Sequence, residues 1–246
     1  MAIEHGHIVQ SYEHELQTLG SKVLEMGGLA ERLLSDAVTA LVSRDTELAS
    51  RVITADTRVD QLESEVENQA ILMIARRQPM AIDLRQIVAA IRIASDLERI
   101  GDMAKNIAKR TTVIGSERQP QKVAVGVEHM AEIALDQLKD VLDSYVSKDK
   151  DKALEVRARD EEIDALYTSL FRELLTYMME DPRNITMCTH LLFCAKNIER
   201  VGDHATNIAE NVYYLVTGQS LRDERPKSDR SSFTAVPYPA DERGSG

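Results

Sequence analysis

One stretch of the sequence occurs twice, 101 residues apart, and this repeat constrains the fold more than any other feature. Residues 98–109 read ERIGDMAKNIAK and residues 199–210 read ERVGDHATNIAE, with eight of the twelve positions identical. In both copies a Glu opens the stretch and an Asp follows four residues later: Glu98 and Asp102, then Glu199 and Asp203. In a helix this spacing places both carboxylates on one face. The repeat therefore predicts two equivalent helices that carry the same acidic pair.

Alignment of the two halves extends the repeat over most of the chain. Up to the second helix the offset is 104 residues, so that Asp45 matches Asp149, and after the next loop it falls to 101. Each half contains three stretches in which apolar residues recur at three- to four-residue steps, which is typical of amphipathic helices. Helices of about 30 residues span roughly 45 Å. We therefore predict an all-α, elongated fold of two tandem, pseudo-symmetric three-helix bundles.

The predicted bundles cover residues 1–117 and 118–218. In the first bundle the helices are expected to begin at Ser11, near Asp45 and near Asp83, and the third to end around Gly115. In the second bundle Pro120 opens the fourth helix, the fifth runs to the MEDPRN break, and Asn184 caps the sixth, which ends near Gly218. Residues 219–246 combine Pro, Ser, Gly and charges without apolar periodicity, which predicts a disordered tail.

Composition narrows the class of protein. Apolar residues make up 43% of the chain and aromatic residues only 4%, which favours a helical bundle over a β-sandwich. The net charge of −11 argues against a nucleic-acid partner, because binding phosphates requires a basic face. The chain has no membrane-spanning apolar run and no signal-peptide pattern. Cys188 and Cys194 lack zinc-type spacing and are expected to be buried in a reducing cytoplasm.

A second set of carboxylates accompanies the repeated stretch. The second helix of each half carries its own acidic pair, and two antiparallel helices joined by a short loop bring the two pairs to the same height. Because converging carboxylates repel, a multivalent cation is expected among them. Oxygen ligands favour Mg²⁺, Mn²⁺, Ca²⁺ or iron. The predicted metal ligands are Asp56, Asp60, Glu98, Asp102 and Asn106 in the first half, and Asp160, Asp164, Glu199, Asp203 and Asn207 in the second.

Other interpretations of these residues stay open. Gly101 and Gly202 each cost about 1 kcal/mol inside a helix, which indicates close approach of another helix or of an ion shell. His204 adds a candidate nitrogen ligand. In a metal-free scaffold the acidic pairs would instead be solvated or would form salt bridges with Arg99 and Arg200. A carboxylate-bridged di-metal oxidase would need His three residues after each Glu, where this chain has glycine.

The chain also resembles a known family. Residues 76–104, RRQPMAIDLRQIVAAIRIASDLERIGDMA, are similar to the signature region of the PhoU family. The second stretch ERVGDHATNIAE and the segment SYEHELQTL at residues 11–19 match the same pattern. The resemblance extends over residues 8–218 and leaves out the C-terminal tail.

The resemblance implies a cytoplasmic regulator and not an enzyme. Members of the family repress phosphate uptake and the phosphate-starvation response. They act between the ATPase subunit of the phosphate ABC transporter and the phosphate-sensing histidine kinase, so that contact with the membrane is indirect. The resemblance also implies a homodimer and metal binding, notably multinuclear iron, at the ten predicted ligands, with magnesium, manganese and zinc as alternatives.

Overall fold

The computed structural model describes residues 2–115 and 121–221, and in these two segments the regular structure is helical. The first half contains α1 (Ala2–Ser43), α2 (Thr46–Ala55), α3 (Thr57–Arg77) and α4 (Ile82–Ile114). The second half contains α5 (Gln121–Ser147), α6 (Lys150–Ala158), α7 (Asp160–Glu180) and α8 (Ile185–Thr217). A 3₁₀ turn at Pro182–Asn184 precedes α8.

Equivalent aspartates begin the second helix of each half, as predicted. Asp45 Oδ1 accepts hydrogen bonds from the backbone N–H groups of Glu47 and Leu48 at 3.0 and 2.9 Å. Asp149 Oδ1 accepts from the two corresponding N–H groups of α6 at 2.9 and 3.1 Å. These bonds satisfy donors that have no partner inside the helix. The capping chemistry of the repeat is thereby confirmed.

The prediction that the second helix of each half is continuous was wrong. The first break lies at Asp56, where α2 ends and α3 begins although the backbone stays in the helical region (φ −55°, ψ −34°). The second break lies at Arg159, whose carbonyl accepts a hydrogen bond of 2.9 Å from the side-chain amide of Gln137. A side chain that enters the hydrogen-bond ladder bends a helix. Each bundle is still built from three rods, and the middle rod is bent.

Two further boundaries differ from the sequence prediction. The first helix begins at Ala2 and not at Ser11, because no proline interrupts residues 2–10 and the single Gly6 costs only about 1 kcal/mol. Asn184 precedes α8 without a side-chain capping bond, and Asp181 caps the 3₁₀ turn instead. The predicted helix start at Pro120, the bundle boundary at 117/118 and the tail from residue 222 onward lie outside the described residues.

The two bundles pack mainly through α4 and α8. α1, α2 and α3 surround α4, whereas α5, α6 and α7 surround α8. α4 and α8 run antiparallel, since Gly218 lies beside Arg85 at one end of the pair and His190 beside Arg110 at the other. α1 also contacts α5. With α4 spanning about 50 Å, the elongated all-α fold of two pseudo-symmetric bundles is confirmed.

Two expectations from composition can be compared with the described residues. None of the described helices combines the length and the hydropathy that a membrane span requires. Cys188 and Cys194 are both buried in the core and are not joined by a disulfide. Burial raises the pKa of the Cys194 thiol to about 12, so that this cysteine packs as a small neutral residue.

Candidate functional site

The centre of the first site is Asp56, at the bend between α2 and α3. This residue is only 1% exposed, and its Oδ2 accepts a hydrogen bond of 2.6 Å from Lys105 Nζ on α4. Lys105 also reaches Asp102 Oδ1 at 3.3 Å. Asp56 Oδ1 is buried and has no hydrogen-bond partner among the described residues. The bend thus places a carboxylate against α4 with one oxygen paired and one oxygen unused.

The burial of Asp56 and the negative charges around it favour protonation of its carboxyl group or binding of a cation. Burial raises the pKa of Asp56, the hydrogen bond and charge of Lys105 oppose this, and the charges of Asp60 and Asp102 add to it. The pKa of Lys105 is raised in turn, mainly by its hydrogen bond to Asp56. A buried carboxylate held by one lysine beside other carboxylates is an incompletely neutralised charge.

Gly101 and Gly202 allow the bent rods to approach α4 and α8. A Cβ at Gly101 would lie 3.0 Å from Asp56 Oδ1, and a Cβ at Gly202 would lie 2.7 Å from Ile163 Cδ1. The interpretation that these glycines allow close approach of another helix is therefore confirmed in both halves. It is this contact that brings the start of α3, and of α7, within reach of the repeated stretch.

The remaining carboxylates of the first half lie along the contact between α3 and α4. Burial is the main cause that raises the pKa of Glu98, followed by the charges of Asp102 and Glu63. Burial also raises the pKa of Glu63, and the nearby Ser95 opposes the shift. Asp60 and Asn106 are exposed. Glu63 was missed by sequence reasoning, although its position three residues after Asp60 places it on the same helical face.

The second half repeats this arrangement with deeper burial. The exposed fraction is 3% for Asp160, 6% for Asp164 and 5% for Glu199, and Asp203 is half-buried. Asp160 Oδ1 accepts a hydrogen bond of 3.2 Å from Thr206 Oγ1. Because these three carboxylates are buried, solvation of a surface helix does not explain them.

In the second half, Glu199 also has one carboxylate oxygen with a hydrogen-bond partner and one without. Its Oε1 accepts a hydrogen bond of 2.8 Å from Lys196 Nζ, whereas its Oε2 is buried without a partner among the described residues. Burial raises the pKa of Glu199, Lys196 opposes the shift, and Asp203 and Asp164 add to it. Lys105 and Lys196 are thus the cations that form hydrogen bonds with Asp56 and Glu199. Arg99 remains exposed, with its Nε 3.6 Å from Glu98 Oε2.

Asn207, a predicted metal ligand, and His204, a candidate nitrogen ligand, both lie at the junction of the bundles. Asn207 Nδ2 donates to Asp96 Oδ1 at 3.2 Å, and His204 Nδ1 lies 2.9 Å from the same oxygen. Asp96 belongs to α4, so these contacts join α8 to the first half. Sequence reasoning did not find Asp96, because it pairs with residues more than 100 positions away.

The predicted ligands come together in pairs and not as a preformed cage. In the part of the chain that the structure describes, no group of three or more His, Cys, Asp or Glu side chains is arranged to hold a metal ion. The sites instead consist of neighbouring carboxylates with lysines between them. From here on, these carboxylates are called the first cluster (Asp56, Asp60, Glu63, Glu98 and Asp102) and the second cluster (Asp160, Asp164, Glu199 and Asp203).

Comparison with known proteins gives the same two units. A family model described as the PhoU domain matches residues 23–111 and 127–212. The starts of the two matches differ by 104 residues and their ends by 101, which are the two offsets of the internal repeat.

Curated relatives and solved structures match over nearly their full lengths. A protein of Rhizobium meliloti strain 1021, named phosphate-specific transport system accessory protein PhoU homolog, is 59% identical over 230 residues, which cover 94% of this chain and 97% of the relative. A protein of the same name from Caulobacter vibrioides strain NA1000 / CB15N is 50% identical over 223 residues, 91% of this chain and 97% of the relative.

The crystal structure of PhoU from Pseudomonas aeruginosa superposes with a TM-score of 0.82 at 39% identity, covering 85% of this chain and 100% of that one. That of the phosphate transport system regulatory protein PhoU from Streptococcus pneumoniae gives 0.79 at 30% identity, with 85% and 99% coverage.

Proposed function

Because the chain belongs to the PhoU family, we propose that it is a negative regulator of phosphate uptake and of the phosphate-starvation response. The observation that carries this proposal is the similarity, over both repeats, to proteins named as accessory or regulatory proteins of phosphate transport. We further propose that it acts at the cytoplasmic face of the membrane, as an adaptor between the ATPase subunit of a phosphate ABC transporter and a phosphate-sensing histidine kinase.

The adaptor role fits the architecture of two joined bundles. α4 and α8 form a long central pair, and the two hairpin loops lie at opposite ends of it. Each bundle thus offers a related but different surface, one for each of two partners. A homodimer would have four such surfaces. Regulation would then proceed by binding and not by catalysis.

The oxidase alternative fits the packing poorly. It requires a histidine three residues after Glu98, at the position of Gly101. There even a Cβ would lie 3.0 Å from Asp56 Oδ1. An imidazole at this position would therefore force α3 away from α4.

We also propose that both clusters bind metal ions. Asp56 Oδ1 and Glu199 Oε2 are buried oxygens without hydrogen-bond partners among the described residues, which is the kind of atom that a cation satisfies. The donors are carboxylate oxygens, which suit iron, manganese or magnesium. Asp56, Asp60, Glu98 and Asp102 would hold the ions of the first half, and Asp160, Asp164, Glu199 and Asp203 those of the second. A bound metal would supply positive charge that ties the bent rods to α4 and α8. Asn106 and Asn207 would contribute neutral oxygens from the next turn.

The metal-free scaffold is a second candidate, and the lysines favour it. Lys105 and Lys196 already form hydrogen bonds of 2.6 and 2.8 Å with the buried carboxylates. In that case the clusters would serve only as a polar contact between helices. Metal analysis of gently purified protein by mass spectrometry separates the two candidates.

The deciding experiment combines metal content with regulation. The double variant Glu98→Ala/Asp102→Ala should lose metal and should derepress a phosphate-response reporter under phosphate excess. The matched control is Glu128→Ala/Glu132→Ala on α5, because this acidic pair has the same spacing but is solvent-exposed. Wild-type repression and metal content in the first variant would contradict the role of the cluster. Normal repression in a strain that lacks the whole gene would contradict the regulatory function itself.

A further inference from the structure

A groove lies at one junction of the two bundles, away from the acidic clusters. It has a volume of about 760 Å³ and runs between the N-terminal half of α1, the start of α4 and the end of α5. Its floor is apolar and includes Leu16, Leu19, Ala90 and Leu215. None of the carboxylates of the two clusters lines it. The groove is therefore a surface that the metal proposal does not use.

Two large apolar side chains are exposed at the edges of this groove. Leu24 is 37% exposed and Val146 is 60% exposed, and both line the groove. Exposed apolar side chains that converge on a groove mark an interaction site more often than isolated ones do. Between Tyr12 and Leu24 the groove follows α1 for about 18 Å, the length of three helical turns.

Charge at one end of the groove defines the ligand further. Glu13 and Asp83 line the groove at the end that holds Tyr12, whereas Lys148 lines it at the end that holds Val146. Within the described residues neither carboxylate forms an ion pair. The whole chain carries a net charge of −11, which attracts cationic partners over a longer range. A basic group is therefore the complement of this end.

We propose that the groove binds an amphipathic helix of a partner protein, with its apolar stripe on the groove floor and a lysine or arginine facing Glu13 and Asp83. An amphipathic helix that inserts its apolar face into such a groove is a recurrent mode of recognition. The inference rests on the proposed adaptor function, since it specifies the surface and the chemistry by which one partner docks.

The test uses the full chain and a designed probe. The probe is a fluorescein-labelled helical peptide of about 18 residues with leucines at i, i+4 and i+7 and two lysines in one terminal turn. A second peptide has glutamates in place of the lysines. Fluorescence anisotropy should show that the basic peptide binds at least about tenfold more tightly than the acidic one.

Variants of the groove then locate the binding. Leu24→Glu/Val146→Glu should weaken binding of the basic peptide at least about tenfold. Val125→Glu is the matched control, because Val125 is 57% exposed on α5 and does not line the groove. Glu13→Lys/Asp83→Lys should reverse the preference between the two peptides. Circular dichroism and urea unfolding confirm that each variant is folded, and the charge reversal provides a test that does not depend on the apolar substitutions.

Several results would overturn the proposal. The first is equal affinity of the wild type and of Leu24→Glu/Val146→Glu for the basic peptide. The second is equal affinity of the wild type for the basic and the acidic peptide. The third is displacement of the probe by a peptide of residues 222–246. Conversion of a dimer to a monomer by the same variant would assign the groove to a second copy of the chain. If peptide binding fails while the regulatory function holds in cells, the groove is wrong and the adaptor role stands. If deletion of the gene leaves repression unchanged, the adaptor role itself fails.

Discussion

The two acidic clusters occupy equivalent positions and are neutralised in different ways. In the first half, Lys105 holds the buried Asp56, whereas the equivalent position in the second half is Thr206, which donates to Asp160. A second pair of equivalent positions also differs. Glu63 lies near Ser95 in the first half. Their counterparts in the second half are a tyrosine and a lysine, with Lys196 Nζ 4.7 Å from the centre of the Tyr167 ring.

The difference shows which parts of the repeat are fixed by packing. The glycines and the buried aspartates Asp56 and Asp160 are the same in both halves, and the helix breaks lie within one residue of equivalent positions, because these features set the distance between the bent rod and the long helix. The charge balance is not the same. The first cluster contains five carboxylates, of which Asp56 and Asp102 contact Lys105, whereas the second contains four, of which Glu199 contacts Lys196. We therefore expect the first cluster to attract cations more strongly than the second.

The largest expected effect comes from exchanging the residues at positions 63 and 95 with those at the equivalent positions 167 and 196. Glu63→Tyr/Ser95→Lys should weaken Mn²⁺ binding by the first cluster at least about tenfold, since one carboxylate is removed and one ammonium group is added. Tyr167→Glu/Lys196→Ser should strengthen binding by the second cluster. Isothermal titration calorimetry measures both, with Glu128→Ala/Glu132→Ala as the control. Unchanged affinities would show that the charge difference between the halves has no effect on binding.

The next effect concerns stability. Lys105→Ala leaves Asp56 buried without its cation and should lower the free energy of unfolding by roughly 2 kcal/mol. Thr206→Val removes only one neutral donor from Asp160 and should cost roughly 1 kcal/mol. Urea unfolding at neutral pH measures both, and Lys109→Ala on the exposed face of α4 is the control. Equal losses would mean that the two buried aspartates are stabilised in the same way.

The glycines give a smaller effect that still separates the halves. Gly202→Ala must displace the buried Ile163, so the strain should exceed the gain in helix propensity and destabilise by about 1 kcal/mol. Gly101→Ala meets Asp56 Oδ1 at the longer distance of 3.0 Å and should be nearly neutral. Gly28→Ala is the control, because a Cβ there has no neighbour within 4 Å and should stabilise by about 1 kcal/mol. Thermal unfolding measures all three, and stabilisation by Gly202→Ala would contradict close packing at α8.

The smallest effect is the dependence of stability on pH in metal-free protein. Burial raises the folded-state pKa of Glu98 and of Glu199. The stabilisation from a carboxyl group with a raised pKa is present below its unfolded value, about 4, and is lost as pH rises through the folded-state value. Wild-type protein should therefore lose stability relative to Glu98→Gln or Glu199→Gln as pH rises from about 4 through the folded-state pKa values.

Urea unfolding in the presence of a chelator, at several pH values, measures this difference. The comparison with the glutamine variants is needed because other carboxyl groups have the opposite shift. Glu15, for example, has a lowered pKa through its hydrogen bond with Arg77. Parallel pH profiles for wild type and variants would contradict a raised pKa at these positions.

Much of the fold follows from local patterns in the sequence. Apolar periodicity located the helices, and the aspartates Asp45 and Asp149 marked where two of them begin, because capping depends on a few neighbouring residues. Helical spacing likewise placed Glu98 with Asp102 on one face. The bends were not predictable in this way. Asp56 and Arg159 interrupt their helices at contacts with Lys105 and Gln137, which come from other helices.

The sequence by itself thus determined the repeat, the helical class, the position of the acidic pairs and the family, because these depend on spacing along the chain. The tertiary structure alone decided which carboxylates are buried and that Lys105 pairs with Asp56. It also decided that His204 and Asn207 contact Asp96 across the junction of the two bundles. The physical reason is that burial depends on the packing of whole helices, and that the Lys105–Asp56 pair and the contacts of Asp96 join residues 49 to 111 positions apart in sequence.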